Sequence, residues 1–143
     1  MSTETTLHAI LTTGTRFDVA TLSGHHLALD MLSQDTPPGT GPSPMETLLA
    51  ALAGCSGISM LTMLQKKRQD VTNYEINVRG KQAETYPHVF TEIHVEHILT
   101  GHALQEAAVQ RTLQLTEERY CSVSIMLSKV TVLTQTFRIL EKS

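Results

Sequence analysis

Gly41-Pro-Ser-Pro-Met-Glu-Thr-Leu-Leu-Ala-Ala-Leu-Ala-Gly-Cys55, continuing through Ser56-Gly-Ile-Ser-Met-Leu-Thr-Met-Leu64 to Lys66-Lys-Arg68, is the stretch that decides the fold. It reads as one long helix with a thiol near its middle. Ser43 suits the N-cap, and Pro44 suits the first helical position, where a missing N–H is not needed. Glu46 completes a Ser-x-x-Glu capping box. At the other end Lys66, Lys67 and Arg68 set positive charge against the negative end of the helix dipole, and the polar run Gln69 to Asn73 releases the chain. Between Thr47 and Gln65 no residue is charged and apolar side chains fall on every side, so the helix is expected to be buried all round.

A run of this length and character also has the reach of a membrane span. Thr47, Gly54, Ser56, Gly57, Ser59 and Thr62 lower its hydrophobicity and suit close helix packing, which favours the central helix of a soluble core. Composition agrees. A chain of 143 residues with 41% hydrophobic and 17% charged residues is the size of one domain with a proper core, expected over residues 1–143 with 1–6 poorly ordered. The net charge of -3 removes the simplest argument for nucleic acid or an anionic membrane as partner, and 4% aromatics with no Trp offers few stacking platforms. Met1-Ser-Thr-Glu-Thr-Thr has neither the basic nor the apolar segment of a signal peptide, so the expected compartment is the cytoplasm. In a reducing compartment a structural disulfide is not expected, and the two cysteines, Cys55 and Cys121, are either packing residues or a redox couple.

Around the helix the chain reads as follows. Leu7 to Thr13, Arg16 to Thr21 and His25 to Asp30 have strand character and are separated by Gly14 and Ser23-Gly24, an antiparallel meander. Met31 to Gly41 is a Pro- and Gly-rich loop. Beyond the helix, Tyr74, Ile76 and Val78 alternate with polar residues. A further strand runs from about His88 to Leu99, with Val89, Ile93, Val95 and Leu99 on one face and His88, Glu92, His94 and Glu96 on the other. An amphipathic helix covers about Ala103 to Tyr120 with Leu104, Ala108, Val109, Leu113, Leu115 and Tyr120 on its apolar half. Val123 to Lys129 is a short helix with Ser122 as its cap, and Val130 to Leu140 is a last strand. Strands in runs rather than alternating singly with helices give an α+β fold with a largely antiparallel sheet. An all-apolar helix needs more cover than one sheet face supplies, and an intimate homodimer would provide it.

The chemistry rests on the thiols. Cys121 stands where one helix gives way to the next, and backbone N–H groups there favour a thiolate. Cys55, on a buried helix, is expected to have a raised pKa unless a cation lies near. Glu92, His94 and Glu96 share one strand face, as metal ligands do, yet such alternation is ordinary for an exposed sheet face, and no metal or cofactor is expected.

Pro42-Ser-Pro-Met-Glu-Thr-Leu-Leu-Ala-Ala-Leu-Ala-Gly-Cys55 resembles the central-helix signature of the OsmC/Ohr family, and Glu118-Arg-Tyr-Cys-Ser-Val-Ser124 resembles its second cysteine motif. The resemblance covers roughly Leu7 to Leu140, and Val89-Phe-Thr and a Thr-Gly near residue 100 point to one branch within it. It implies an OsmC-like intertwined homodimer and a thiol peroxidase acting on organic hydroperoxides and hydrogen peroxide, in defence against oxidative stress. Cys55 would attack the peroxide and become a sulfenic acid, Cys121 would condense with it to a disulfide, and an external dithiol would reduce that disulfide. The family peroxidases also use an Arg and a Glu to hold the first cysteine as thiolate. By position Arg16 is the candidate Arg, with a solvated strand-edge role as its alternative, and Arg119 is a further candidate. The usual Glu position holds Met45, with Glu46 one residue on. From Glu46 to Cys55 a helix rises about 13.5 Å and turns about 180°, so Glu46 reaches no thiol of its own chain, and closing the capping box is its alternative role. A second reading of the whole chain is a non-catalytic family member that binds a small apolar molecule at the dimer interface, with packing cysteines.

Overall fold

The computed structural model describes residues 3–32 and 39–142; the expectations for Met1-Ser2 and for 33–38 of the Met31–Gly41 loop lie outside the described residues. Helix α1 spans Pro44–Lys66. Its capping box is formed as the sequence signals: the Glu46 N–H donates to Ser43 Oγ at 3.2 Å and the Ser43 N–H donates to Glu46 Oε2 at 2.8 Å. Its end is a backbone reversal as well as a charge match. Arg68 takes φ 58°, the Gln69 N–H donates to Leu64 O at 3.0 Å, and the Arg68 N–H donates to Gln65 O at 3.0 Å, a Schellman motif with Arg in the place usually held by Gly.

Burial corrects the expectation for α1. Within one chain the buried residues are Leu52, Ser56, Met60 and Leu64, one stripe spaced by four, while Leu48 is at the surface and Ile58 is 69% exposed. The helix is therefore covered on one side and open on the rest. The physical reason is the one its sequence raised: a single sheet face touches only one stripe of a helix. α1 is, among the described residues, the helix long and apolar enough to cross a membrane.

The chain divides into two units, one ending at Leu48 and one beginning at Leu49. In the first, β1 (Leu7–Thr13), β2 (Arg16–Thr21) and β3 (His26–Leu29) form an antiparallel sheet in the order β1-β2-β3. Gly14 at φ 54° and Gly24 at φ 87° make the turns, in backbone that side chains resist. The sheet carries exposed Leu7, Ile10, Leu11, Phe17 and Leu27. Asp30 accepts from the hydroxyls of Thr15 and Thr40 and from the N–H groups of Met31 and Thr40, which holds its carboxyl well below the usual range.

In the second unit β4 (Asp70–Gln82), β5 (Phe90–His102) and β6 (Val132–Glu141) form a sheet in the order β4-β5-β6. β4 and β5 are antiparallel, with Ile76 opposite His97, whereas β5 and β6 are parallel, with Val95 opposite Gln135. The parallel pair follows from the connection, since the helices between β5 and β6 carry the chain back to the same end of the sheet. β4 starts at Asp70, earlier than its clean alternation suggests, because Val71 already packs on the core. Val89 stays outside β5 and is exposed. Met60 and Leu64 of α1 meet Leu99 of β5 and Val109 and Leu113 of α2 (Glu106–Leu115) in this unit's core, with Val71, Tyr74, Leu104, Phe137 and Ile139 packed around them. Gly101 is required here, since a Cβ would run into the Asp70 carbonyl oxygen.

Candidate functional site

The amphipathic helix ends differently from its sequence pattern. α2 stops at Leu115 and continues as a π turn, Thr116–Tyr120, closed by the Cys121 N–H donating to Thr116 O at 2.9 Å. Helical spacing carries the inward face through Val109, Leu113 and Thr116 and would place Tyr120 next. The extra residue of the π turn instead passes that place to Cys121, which is 0% exposed, while Tyr120 is 50% exposed. The apolar-half assignment of Tyr120 is thus corrected.

Cys121, not Ser122, is the N-cap of α3 (Ser122–Ser128): the Ser124 N–H donates to Cys121 Sγ at 3.4 Å, and Ser124 Oγ donates to the Cys121 carbonyl at 3.1 Å. From α1, Ser56 Oγ lies 3.4 Å from the same sulfur, and both Ser56 and Ser124 are buried. The Cys121 thiol is pulled in two directions. Burial raises its pKa, but hydrogen bonds from Ser124 and Ser56 and the nearby Cys55 thiol outweigh that and hold it below the ordinary thiol value.

Cys55 precedes Ser56 on α1 and is half-buried. The Cys121 thiol and the backbone N–H groups of Val123 and Ser122 are near enough to act on its titration. Burial pushes its pKa up; the Val123 N–H opposes this, and the Cys121 thiol adds to it. Two free thiols with opposite displacements therefore stand side by side, one at the protein surface and one beneath it.

Of the sequence-derived site residues, these two cysteines are brought together in the second unit, while Arg16 and Glu46 belong to the first. Arg16 pairs with Asp18 at 3.0 Å and donates to the Thr40 carbonyl at 2.9 Å, which ties β2 to the segment just before α1. The Asp18 carboxylate raises the Arg16 pKa through hydrogen bonding and charge. Glu46 is engaged by Ser43, whose backbone N–H lowers its pKa. The Arg119 guanidinium lies 5.7 Å above the Tyr120 ring. His94 bonds the hydroxyls of Thr134 at 2.7 Å and Thr136 at 3.0 Å. Ser56 and Ser124 were missed by sequence reasoning; the signal was the small polar residue beside each cysteine motif.

A family model described as OsmC-like protein matches residues 37–135. The chain belongs to the OsmC family. Protein YhfA of Escherichia coli (strain K12) is 41% identical over 117 residues, 82% of this chain and 84% of that protein. The OsmC fold recurs in a crystal structure of a hypothetical protein from Aquifex aeolicus VF5, with TM-score 0.88 and 26% identity over 99% of this chain and 100% of that one. It recurs again in the Organic Hydroperoxide Resistance Protein OhrB of Bacillus subtilis, with TM-score 0.65 and 15% identity over 95% of this chain and 98% of that one. At that identity the second likeness is one of fold.

Proposed function

We propose that this OsmC protein is a dimeric, cytoplasmic thiol peroxidase, one OsmC-like domain per chain, that reduces organic hydroperoxides. The Cys55 thiolate attacks the O–O bond, an alcohol leaves, and Cys55 becomes a sulfenic acid. The Cys121 thiolate displaces hydroxide from that sulfur to close the disulfide, and an external dithiol reopens it. The observation that carries this reading is the nearness of the two thiols, the outer one half-buried and the inner one buried and lowered in pKa by its hydrogen bonds. Fold likeness to a hydroperoxide resistance protein supports it.

The raised Cys55 pKa asks for a cation that its own unit does not bring. Arg16 of a second copy is the candidate, and the uncovered sides of α1 and the apolar residues on β1–β3 are the surfaces a second copy would bury. The same raised pKa favours a second reading, a dimer that binds a small apolar molecule without turnover. Treating the reduced protein with cumene hydroperoxide while counting thiols and measuring mass separates them. Rapid loss of both thiols, with a Cys55–Cys121 disulfide, is expected; slow oxidation that Cys55→Ser leaves unaltered would sink the peroxidase. Sedimentation at the same concentration reads the dimer.

A further inference from the structure

We propose that Ser56 is a positioning residue for Cys121, its hydroxyl donating to Cys121 Sγ and keeping that sulfur an anion, so that Cys121 is the leaving group when the Cys55–Cys121 disulfide is reduced. The leaving-group role rests on the peroxidase reading; the hydrogen bond does not.

Geometry carries the assignment. Ser56 is 0% exposed, and its one hydrogen-bond partner among the described residues is Cys121 Sγ, at 3.4 Å. A thiolate can only accept, so in that state the Ser56 hydroxyl is the donor, and the Ser124 N–H at 3.4 Å is the second. The groups facing this sulfur are Ser56 and Cys55 from α1 and Ser124 from α3, and the titratable one is Cys55. A buried hydroxyl spent on a buried sulfur makes sense if that sulfur carries charge, since hydrogen bonds to charged groups are the stronger kind.

Chemistry then assigns direction. In the reduced chain Cys55 is half-buried and Cys121 buried, so once the disulfide has formed a reductant thiolate attacks at Cys55. The Cys55–Cys121 bond breaks, its electron pair goes to Cys121, and that thiolate is received by the Ser56 O–H and Ser124 N–H. The second reductant thiol, as thiolate, attacks the reductant sulfur of the mixed disulfide, releasing the Cys55 thiolate and a cyclised, oxidised reductant. A lower leaving-group pKa speeds the first of these steps.

The test uses the full chain in a Cys55→Ser background, where Cys121 is the remaining thiol, and follows thiolate ultraviolet absorbance against pH. Ser56→Ala should move the Cys121 midpoint up by about one pH unit, roughly a tenfold loss of thiolate near neutral pH. Ser56→Thr, which keeps the hydroxyl, should hold the parent midpoint. An unchanged midpoint in folded Ser56→Ala overturns the assignment. Should Ser56→Ala not fold, Ser56→Thr compared with the isosteric Ser56→Val, which lacks the hydroxyl and adds no thiol, reads the same hydrogen bond, and equal Cys121 midpoints overturn it. In the parent chain a disulfide formed with diamide and reduced with dithiothreitol should open about tenfold more slowly once Ser56 is Ala. An equal rate overturns the leaving-group role. Failure of diamide to form the disulfide removes that role with the peroxidase reading and leaves the titration to decide the hydrogen bond.

Discussion

Helices α1 and α3 begin in the same way and to opposite effect. At α1, Ser43 Oγ accepts from the N–H three residues on, and Glu46 returns the bond to the Ser43 backbone. At α3, Cys121 Sγ accepts from the N–H three residues on, and Ser124 returns a bond to the Cys121 backbone. One motif holds a hydroxyl that does not titrate; the other holds a thiol whose pKa is lowered from the ordinary value. The same backbone donor that merely satisfies a helix end at Ser43 becomes, at Cys121, the least of several hydrogen bonds that together lower the pKa of a buried thiol against the opposing effect of burial. A cap is thus a structural device or a chemical one according to the atom placed on it.

The largest expected effect tests whether the chemical cap and the thiol beside it act as a pair. Cys55→Ser should lower hydroperoxide consumption by roughly a thousandfold or more, as loss of a nucleophile does. Cys121→Ser should still react once per chain and then stop, with the mass of a sulfenic acid or its further oxide in place of a disulfide. One stoichiometric round of oxidation in Cys55→Ser as well as in Cys121→Ser, measured by mass and peroxide consumption with no reductant present, would break the comparison.

How much of this was legible follows the same division. The Ser-x-x-Glu box, the uncharged run and the two cysteine motifs were readable because each is a local pattern with a local cause, and α1, β1 and β2 have the bounds the sequence gives them. The π turn was not readable. Its extra residue changes the helical phase between Thr116 and Cys121, and no propensity in Thr-Glu-Glu-Arg-Tyr announces it. The all-round apolar pattern of α1 was legible, but the sequence does not say which sides are covered within one chain. His97 was passed over because it continues the apolar face of β5, where period two puts it with Val95 and Leu99.

Packing should outweigh capping in α1. Met60 is fully buried against Leu99 and Val109, so Met60→Ala is expected to cost about 2–5 kcal/mol in chemical denaturation. Ile58→Ala, on an exposed side of the same helix, should leave one chain's fold in place and weaken association with a second copy, read by sedimentation against concentration. A large loss of monomer stability from Ile58→Ala and little from Met60→Ala would reverse the burial described here.

His97 shows what burial does when no cap intervenes. Its Nε2–H donates to Gln135 Oε1 at 2.8 Å, its Nδ1 accepts from the Tyr74 hydroxyl at 2.6 Å, and burial lowers its pKa. A histidine with a lowered folded pKa binds fewer protons than the unfolded chain, so stability rises with pH across that interval. As pH falls below about 6.5 the His97 contribution should be lost at up to about 1.4 kcal/mol per pH unit, until the folded pKa is reached. His97→Gln should flatten that slope in denaturation curves taken from pH 7 downward. An unchanged slope would mean that His97 is not the group responsible.

The smallest effect sharpens the comparison most. Ser43→Ala removes the cap of α1 and should cost about 1 kcal/mol, the usual worth of a cap, because Leu52, Met60 and Leu64 hold the helix by packing. Replacing the cap of α3 is a different experiment on the same geometry. Cys121→Ser keeps an acceptor of similar shape for the Ser124 N–H, so α3 should keep its start and the protein its melting temperature to within a few degrees, while all disulfide chemistry is gone. Equal small losses of stability with unequal chemistry are what a shared motif carrying different atoms requires; unfolding of Cys121→Ser would show instead that the sulfur is there for packing.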